Sequence, residues 1–447
     1  MTTANLETLP AETLTAWSER ASSRATEHRE PAWAVALRRR SAAIAAALPF
    51  PDRESELWRR TDFRTLEAGL AGLDPFAPVP PARQLDDLPP GLIARLAEGG
   101  PTALVAQRGA DVVLEQTHPD LERAGVIVCS MERALREHGP LLEGRLGGMI
   151  DPDYDRWAAI GAALRSGGAF VHVPDGVEAA IPVRLLHWID GGGRLAAPHT
   201  VISLGTRARL TVIEEQVSEG AKNASLHLGS TEAYLGEDSR LVFATLQDWA
   251  RNVYHYSNQR VRIGRGAEVQ WIHTVLGGRM VKTNSYFNLA GSGAQTFVHG
   301  FMFGDSRQHF HLHTLQRHLV DHTTSDLLIK GCLKDRARSV YQGLIQVAEG
   351  AQRTDAYQAN RNLLLSDHAR ADSIPGLEIL ANDVRCTHGA TIGNVDEEQM
   401  YYLMSRGLHS SEAQRLIVEG FFTPVLDRIP LESVREQLRE AIQRKIG

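Results

Sequence analysis

The sequence predicts a mainly β chain, a β-helix flanked by helical segments at both ends. Three observations predict it. Short β segments run from Gly167 to about residue 385 with no helix between them. One turn phrase recurs along that stretch at a solenoid period. Helical spacing of apolar residues is confined to the two ends of the chain.

The recurring phrase is a turn, then a small residue, then alternating apolar positions, as in Gly205-Thr-Arg-Ala208-Arg-Leu210-Thr-Val212. The small residue returns as Ser239, Ala267, Ala294, Ala337 and Ala369, at spacings of 31, 28, 27, 43 and 32 residues. Strands of four to six residues with turns at this period suit coils that stack and bury one continuous core. The 43-residue gap leaves room for an inserted loop. A β-sandwich, the plainer alternative, would show turn signals every 8–12 residues or so without the longer period.

The first 50 residues carry helical spacing in two blocks, Trp17 with Ala21, then Trp33, Val35, Leu37, Ile44 and Leu48. Phe50-Pro51 ends the second, and residues 54–66 read as a short helix or turn with Trp58 as a core anchor. Residues 74–101 are proline-rich and fit a wrapping linker. A hairpin follows over 102–115 with its turn at Arg108–Asp111, then a short strand over 126–130 that places Cys129 in the core. Residues 131–166 return to helical character, closing an N-terminal, mostly helical region of 1–166 before the β-helix of 167–385.

Residues 386–447 are expected to form a C-terminal helical domain, with helices from about Asp396 to Ser405, Ser410 to Phe422 and Leu431 to Lys445. Asp396 is the expected N-cap of the first, with Glu397 and Glu398 in its first turn, and Ser410 or Ser411 that of the second. MYYLMSRG and LIVEGFF hold more large apolar side chains than a thin cap needs. Tyr401, Tyr402, Met404, Arg406, Phe421 and Phe422 are therefore candidate partner contacts, against the alternative of packing on the last coil.

Lys and Arg number 48 against 54 Asp and Glu, a formal net charge of -6, which gives no basic footprint for nucleic acid and no polybasic membrane patch. The opening MTTANLETLPAETLTAW has no basic stretch followed by an apolar one, so a cytoplasmic protein is expected. The three cysteines, Cys129, Cys332 and Cys386, are too few and too far apart for a disulfide framework or a self-contained zinc site. A metal site would have to be shared.

The densest chemistry lies in DVRCTHGATIGNVDEEQMYYLMSRG, residues 383–407. Cys386 and His388 are two apart, so on a strand they share a face on which thiolate and imidazole could hold one metal ion. His309, His311 and His313 alternate in the same way, though a hydrogen-bonded histidine face is favoured over a metal site. The chain has no P-loop and no Gly-x-Ser-x-Gly elbow, and its Gly-x-Gly fragments open strands rather than helices. An ordinary stand-alone enzyme is not expected. If the β-helix were instead that of a polysaccharide-active enzyme, Asp305, Asp321 and Asp326 would be its acids.

Several of these strings resemble the SufB/SufD family of iron-sulfur cluster assembly proteins, and within it the SufD branch. They are Pro375-Gly-Leu-Glu-Ile, NDVRCTHGATIG, YYLMSRG and AQRLIVEGFF, with ELWRRTD at 56–62 and NRNLLLS at 360–366. The resemblance implies a right-handed parallel β-helix between helical ends, a SufB-like paralogue joined through the β-helices, and a SufC-like ABC ATPase on the C-terminal helices. It also implies a transient iron-sulfur cluster or iron at the heterodimer interface, with His388 as this chain's contribution, Cys386 beside it, and no nucleotide on the chain itself. Asn360 stands where SufB carries a cysteine, and HGAT replaces the HEAT of SufB. The main scaffold thiol is thus absent, and one thiolate with one imidazole falls short of the four ligands that clusters ordinarily take. A homodimer is the other assembly considered.

Overall fold

The computed structural model describes residues 9–66, 70, 72–80, 82, 84–97, 101–429 and 432–446. Two helices open it, α1 (Ala11–Glu27) and α2 (Ala32–Ala47). α1 buries Trp17 and Ala21 as its spacing predicts. α2 instead turns inward its small face, Ala34, Arg38, Ser41 and Ala45, leaving Trp33, Leu37 and Ile44 half-buried. Arg38 can face inward because Glu30 lies 2.6 Å away and also meets Arg165 at 2.7 Å. The two guanidiniums hold the buried carboxyl down at about 2, against the desolvation that would raise it.

Trp58 is buried, stacked 5.6 Å from Tyr256 and edge-on to Phe63 at 5.7 Å. The proline-rich stretch contains a helix that its composition hides, α3 (Pro90–Ala97). Leu92 and Leu96 on α3 pack toward Leu186 and Trp188, and the i,i+4 leucines were its only signal.

The hairpin is β1 (Ala103–Arg108) with β2 (Asp111–Gln116). After α4 (Pro119–Arg123) come β3 (Ile127–Ser130), α5 (Met131–Glu137), α6 (Gly139–Leu142) and α7 (Arg156–Ala163). Cys129 is buried as expected, and burial pushes its thiol up to about 12.

The remaining strands are β4 (Ala169–Val173), β5 (Val183–Ile189), β6 (Leu195–Ala196), β7 (His199–Leu204), β8 (Arg209–Ser218), β9 (Ser225–Leu235) and β10 (Arg240–Asp248). They continue as β11 (Val253–Ile263), β12 (Glu268–Val275), β13 (Met280–Leu289), β14 (Gln295–Gly304) and β15 (His309–His318). The last are β16 (Thr324–Leu333), β17 (Arg338–Val347), β18 (Asp355–Leu364), β19 (Arg370–Ile379) and β20 (Arg385–Asn394). Their order in space is β2-β1-β5-β8-β10-β12-β14-β16-β18-β20 in one sheet and β19-β17-β15-β13-β11-β9-β7-β4-β3 in the other. Apart from the β1/β2 and β3/β4 pairs the neighbours are parallel, forming a right-handed β-solenoid of about eight turns. Alternate residues of both sheets meet inside, where Phe243 stacks on Trp271 at 4.0 Å.

The repeat has a different origin from the inserted loop expected of its 43-residue gap. Each coil turns twice. At the edge leading into β8, β10, β12, β14, β16 and β18, the small buried residue is Ala208, Ser239, Ala267, Ala294, Thr323 and Thr354. The residue before each has positive φ: Arg207, Asp238, Gly266, Gly293, His322 and Arg353. Their amide N–H groups donate to the next coil's turn, Asp238 to the Arg265 carbonyl and Gly293 to that of His322, so the ladder runs unbroken through the corner. Such stacking leaves no room for a side chain at some corner positions: a Cβ at Gly291 would lie 2.1 Å from the Arg265 amide nitrogen. Ala337 and Ala369 belong to the opposite edge, before β17 and β19. The long spacing is a change of edge, hidden because threonine replaces the small apolar residue at 323 and 354.

The helical ends cover the outer faces of the two sheets. Trp58, Phe63 and Trp157 pack over Leu226, Leu228, Tyr254, Tyr256 and Met280 of the sheet that ends at β19, which β6 joins by pairing with β9. After β20 come α8 (Glu397–Ser405), α9 (Ser410–Leu426) and α10 (Glu432–Ile446). The strand ladder runs to Asn394, and α8 follows within a residue of its expected start at Asp396. The expected start of the last helix, Leu431, lies outside the described residues.

Asp396 caps α8, accepting from the amides of Glu398 (2.8 Å) and Gln399 (3.2 Å) as its position predicts. The cap of α9 is His409, not Ser410 or Ser411, in a reciprocal arrangement with Glu412. α9 and α10 bury Val418, Phe422, Val425, Leu438 and Ile442 against Ile213, Ile272, Phe301, Phe303 and Cys332. That contact is on middle coils, not on the last one.

Candidate functional site

The solenoid is capped at its first end by β3, the β1/β2 hairpin and the N-terminal segments, whereas β20 and β19 end the two sheets at the other. Cys386 and His388 lie on β20, opposite Ala356 and Gln358 of β18. Ala356 and Gln358 are buried inside the solenoid, so in the final coil the same face carries the thiol and the imidazole at its open mouth. Cys386 is half-buried against the cluster of Ile345, Val347, Ala351, Ala356 and Ala381. Burial, then the Asp355 carboxylate, raises its thiol. Asp355 is itself held by Arg385 at 2.6 Å.

His388 is exposed, and no described side chain engages its imidazole. Asn360, on the same inward file of β18 two residues beyond Gln358, is fully buried, donating to the Ile329 carbonyl and accepting from Asn362 at 2.7 Å. The sequence thus brings Cys386 and His388 together on one face. Among the described residues no three His, Cys, Asp or Glu side chains converge in a metal-holding arrangement. Around this mouth are exposed Leu377, Ile379, Leu380 (62% exposed) and Ile392 (47%).

The candidate partner contacts divide. Tyr401 (75% exposed), Tyr402 (58%) and Met404 are exposed on α8, which buries none of its residues, and Arg406 at its C-cap lies over the Tyr402 ring at 5.2 Å. Phe422 is fully buried, 5.0 Å from Phe301 and 6.3 Å from Phe303, so its face is already taken. Phe421 is half-buried over the Lys330 ammonium at 4.6 Å. The apolar positions 416–418 and 421–422 could not reveal this, because the middle coils that receive them lie far upstream in the sequence.

The three alternating histidines are hydrogen-bonded, as their favoured reading had it. His311 Nδ1 meets Thr61 Oγ1 at 2.6 Å and Lys282 Nζ at 3.2 Å, His309 meets Thr61 at 3.2 Å, and His313 meets the Tyr286 hydroxyl at 3.1 Å. Lys282 also donates to the Leu57 carbonyl at 2.8 Å. Burial lowers all three imidazoles and brings Lys282 down to about 7. This network seals ELWRRTD onto the solenoid. Lys282 had no signal in the sequence.

The acids of the carbohydrate alternative share no groove. Asp305 is paired with Arg251 and Lys445 at one edge, Asp321 with His322 at the opposite edge, and Asp326 with Arg428 beneath α9.

A family model described as "SUF system FeS cluster assembly, SufBD core domain" matches residues 187–421, which run from β5 through the open mouth into α9. The chain belongs to the SufBD family. Within that family, SufD of Bacillus subtilis (strain 168), an iron-sulfur cluster assembly protein, is 29% identical over 424 residues, covering 94% of this chain and 95% of that one. SufB of the same organism is 27% identical over 334 residues, covering 75% and 72%. A SufBD family protein of Staphylococcus epidermidis is 26% identical with the same coverage. The similarity to SufD includes the terminal helical segments as well as the SufBD core. Among the described residues, no helix is long and apolar enough to cross a membrane.

Proposed function

We propose that this SufBD protein is a non-catalytic, SufD-like scaffold subunit of a cytoplasmic iron-sulfur assembly complex. It pairs through the open end of its solenoid with a SufB-like paralogue. There His388, with Cys386 beside it, contributes to a transient iron or nascent cluster that is cargo, not a resident cofactor. The carrying observation is the coincidence at β20: an unpaired strand edge, a rim of exposed Leu377, Ile379, Leu380 and Ile392, and the exposed imidazole of His388. Paired strand edges and buried apolar rims are what a sheet-to-sheet association supplies. One thiol and one imidazole leave the remaining ligands to the partner.

We further take the helical unit after β20 as the dock for a SufC-like ATPase, through Tyr401, Tyr402, Met404 and Arg406 of α8. Such a helix, with no fully buried residue of its own and carrying two tyrosines and two methionines, has the composition of an interface core. Closure of the ATPase would then reach β20 through the two residues that separate it from α8.

The test is His388→Ala in cells that depend on this chain for cluster assembly, with copurification of the paralogue followed in parallel. Loss of assembly with the complex retained supports a ligand role. Assembly left intact removes it, and recovery of the wild-type chain only as a dimer of itself overturns the heterodimer.

A further inference from the structure

The edge of the solenoid that leads into β9, β11, β13, β15, β17 and β19 carries a basic side chain at each coil. These are Lys222, Arg251, Arg279, Arg307, Arg336 and His368, spaced by 29, 28, 28, 29 and 32 residues. All six are exposed. Stacking sets successive rungs about 4.8 Å apart, the spacing of neighbouring strands. Like charges at that spacing repel, and ordinary surfaces relieve this with interleaved carboxylates.

Here the relief is partial. Arg251 pairs with Asp305 at 2.6 Å and donates to Ser306 Oγ at 2.6 Å, which fixes its guanidinium. Of the other carboxylates on this stretch, Asp248 meets Arg444, Asp335 accepts from the Ser306 amide and also lines the cavity described next, and Asp367 adjoins His368. Lys222, Arg279, Arg307 and Arg336 have no carboxylate partner among the described residues. A cavity of about 630 Å³ gathers Arg251, Arg279, Arg307, Arg336 and His368 with the hydroxyls of Ser306 and Ser366. A second, of about 560 Å³, shares Arg251 and Arg279 with it and adds Lys222 and Asn252. Both volumes are of small-molecule size. The net charge of the whole chain, -6, conceals this local excess.

We propose that this edge binds a short chain of phosphate groups, carried by a nucleoside polyphosphate or as inorganic polyphosphate. Guanidinium forks match phosphate oxygens two at a time, and a triphosphate concentrates several charges within the one or two coils where the free arginines converge. An acidic peptide fits less well. Its same-face carboxylates on a strand are about 6.8 Å apart, and a 4.8 Å ladder meets them out of step. The absence of a P-loop does not bear on this site, which uses turn arginines instead of a helix N-terminus. The proposal is independent of the scaffold reading and of His388.

The experiment is calorimetric titration of the isolated full chain with tripolyphosphate, with ATP without magnesium, and with orthophosphate and a glutamate hexapeptide as comparators. Each is repeated on Arg279→Gln/Arg307→Gln and on the control Arg240→Gln at the other edge. Binding of tripolyphosphate or ATP, weakened roughly a hundredfold in the double variant at about tenfold per lost guanidinium, is the expected result. The control should bind as the wild type does. Equal affinity for the two ligands assigns recognition to the phosphates alone, and at least tenfold tighter ATP adds the nucleoside. No binding, an unaffected double variant, or hexapeptide or orthophosphate binding as tightly as tripolyphosphate overturns the proposal. These exposed turn residues make few contacts, and an unchanged melting temperature will show that the variant is folded.

Discussion

Phe422 and Tyr402 are both aromatic residues of the C-terminal helices, and substituting each by alanine separates the face that holds these helices from the face left for a partner. Phe422 is 0% exposed, with ring neighbours Phe301 at 5.0 Å, Phe421 at 5.3 Å and Phe303 at 6.3 Å. Removing a fully buried ring costs about 3–5 kcal/mol, the lost transfer plus the cavity left between strand β14 and helix α9. Aromatic contacts of this kind supply about 0.5–1.5 kcal/mol each beyond burial. Since α9 is anchored by this ring, with Val418 and Val425 one turn to either side, the loss should appear first as local detachment from the solenoid.

Native-state hydrogen exchange of the α9 amides is the assay. Phe422→Ala should speed exchange there by roughly a hundred- to several-thousand-fold, while the solenoid strands exchange as before. Tyr402→Ala, 58% exposed, should change stability by no more than about 0.5 kcal/mol and weaken only capture of an ATPase partner. A cost below about 1 kcal/mol for Phe422→Ala, or equal costs for the two, would refute the division of faces.

Two further predictions concern buried charge. The Glu30 carboxyl sits at about 2 in the folded chain against an ordinary 4.5, so its contribution is complete above 4.5 and lost as pH falls toward 2. Glu30→Gln should cost about 3 kcal/mol at neutral pH, with the gap to wild type closing below pH 4 in urea titrations, and a pH-independent gap would contradict this. Lys282 works in the other direction: at about 7 when folded against 10.5, it binds fewer protons than the unfolded chain between those values, so stability rises with pH there. Lys282→Met should remove up to about 1.4 kcal/mol of that rise per pH unit, and identical slopes for variant and wild type between pH 7.5 and 9 would count against the buried ammonium.

The local elements and the period were legible in the residues alone. Alternation marked the strands, Asp396 with its acidic first turn marked α8, and the two-residue spacing of Cys386 and His388 placed both on one face wherever that strand lay. Stacking in a solenoid is a nearest-neighbour affair, so its corner residues are written at a regular spacing and can be read without knowing the rest of the fold. Even so, the phrase did not say which of two edges it marked, because a buried threonine at 323 or 354 fills a corner as well as alanine does.

Which faces were already occupied emerged only on folding. Phe422 and Tyr402 are equally apolar in the text, and α2 buries its alanines rather than its tryptophan, since these outcomes depend on surfaces far away in sequence. Lys282, His309 and His311 acquire their partners from residues 57–61, more than two hundred positions upstream. The open mouth at β20 has the same origin. A sheet ends where no further coil stacks on it, and the residues that face inward in every earlier coil are left there at the surface, with His388 among them.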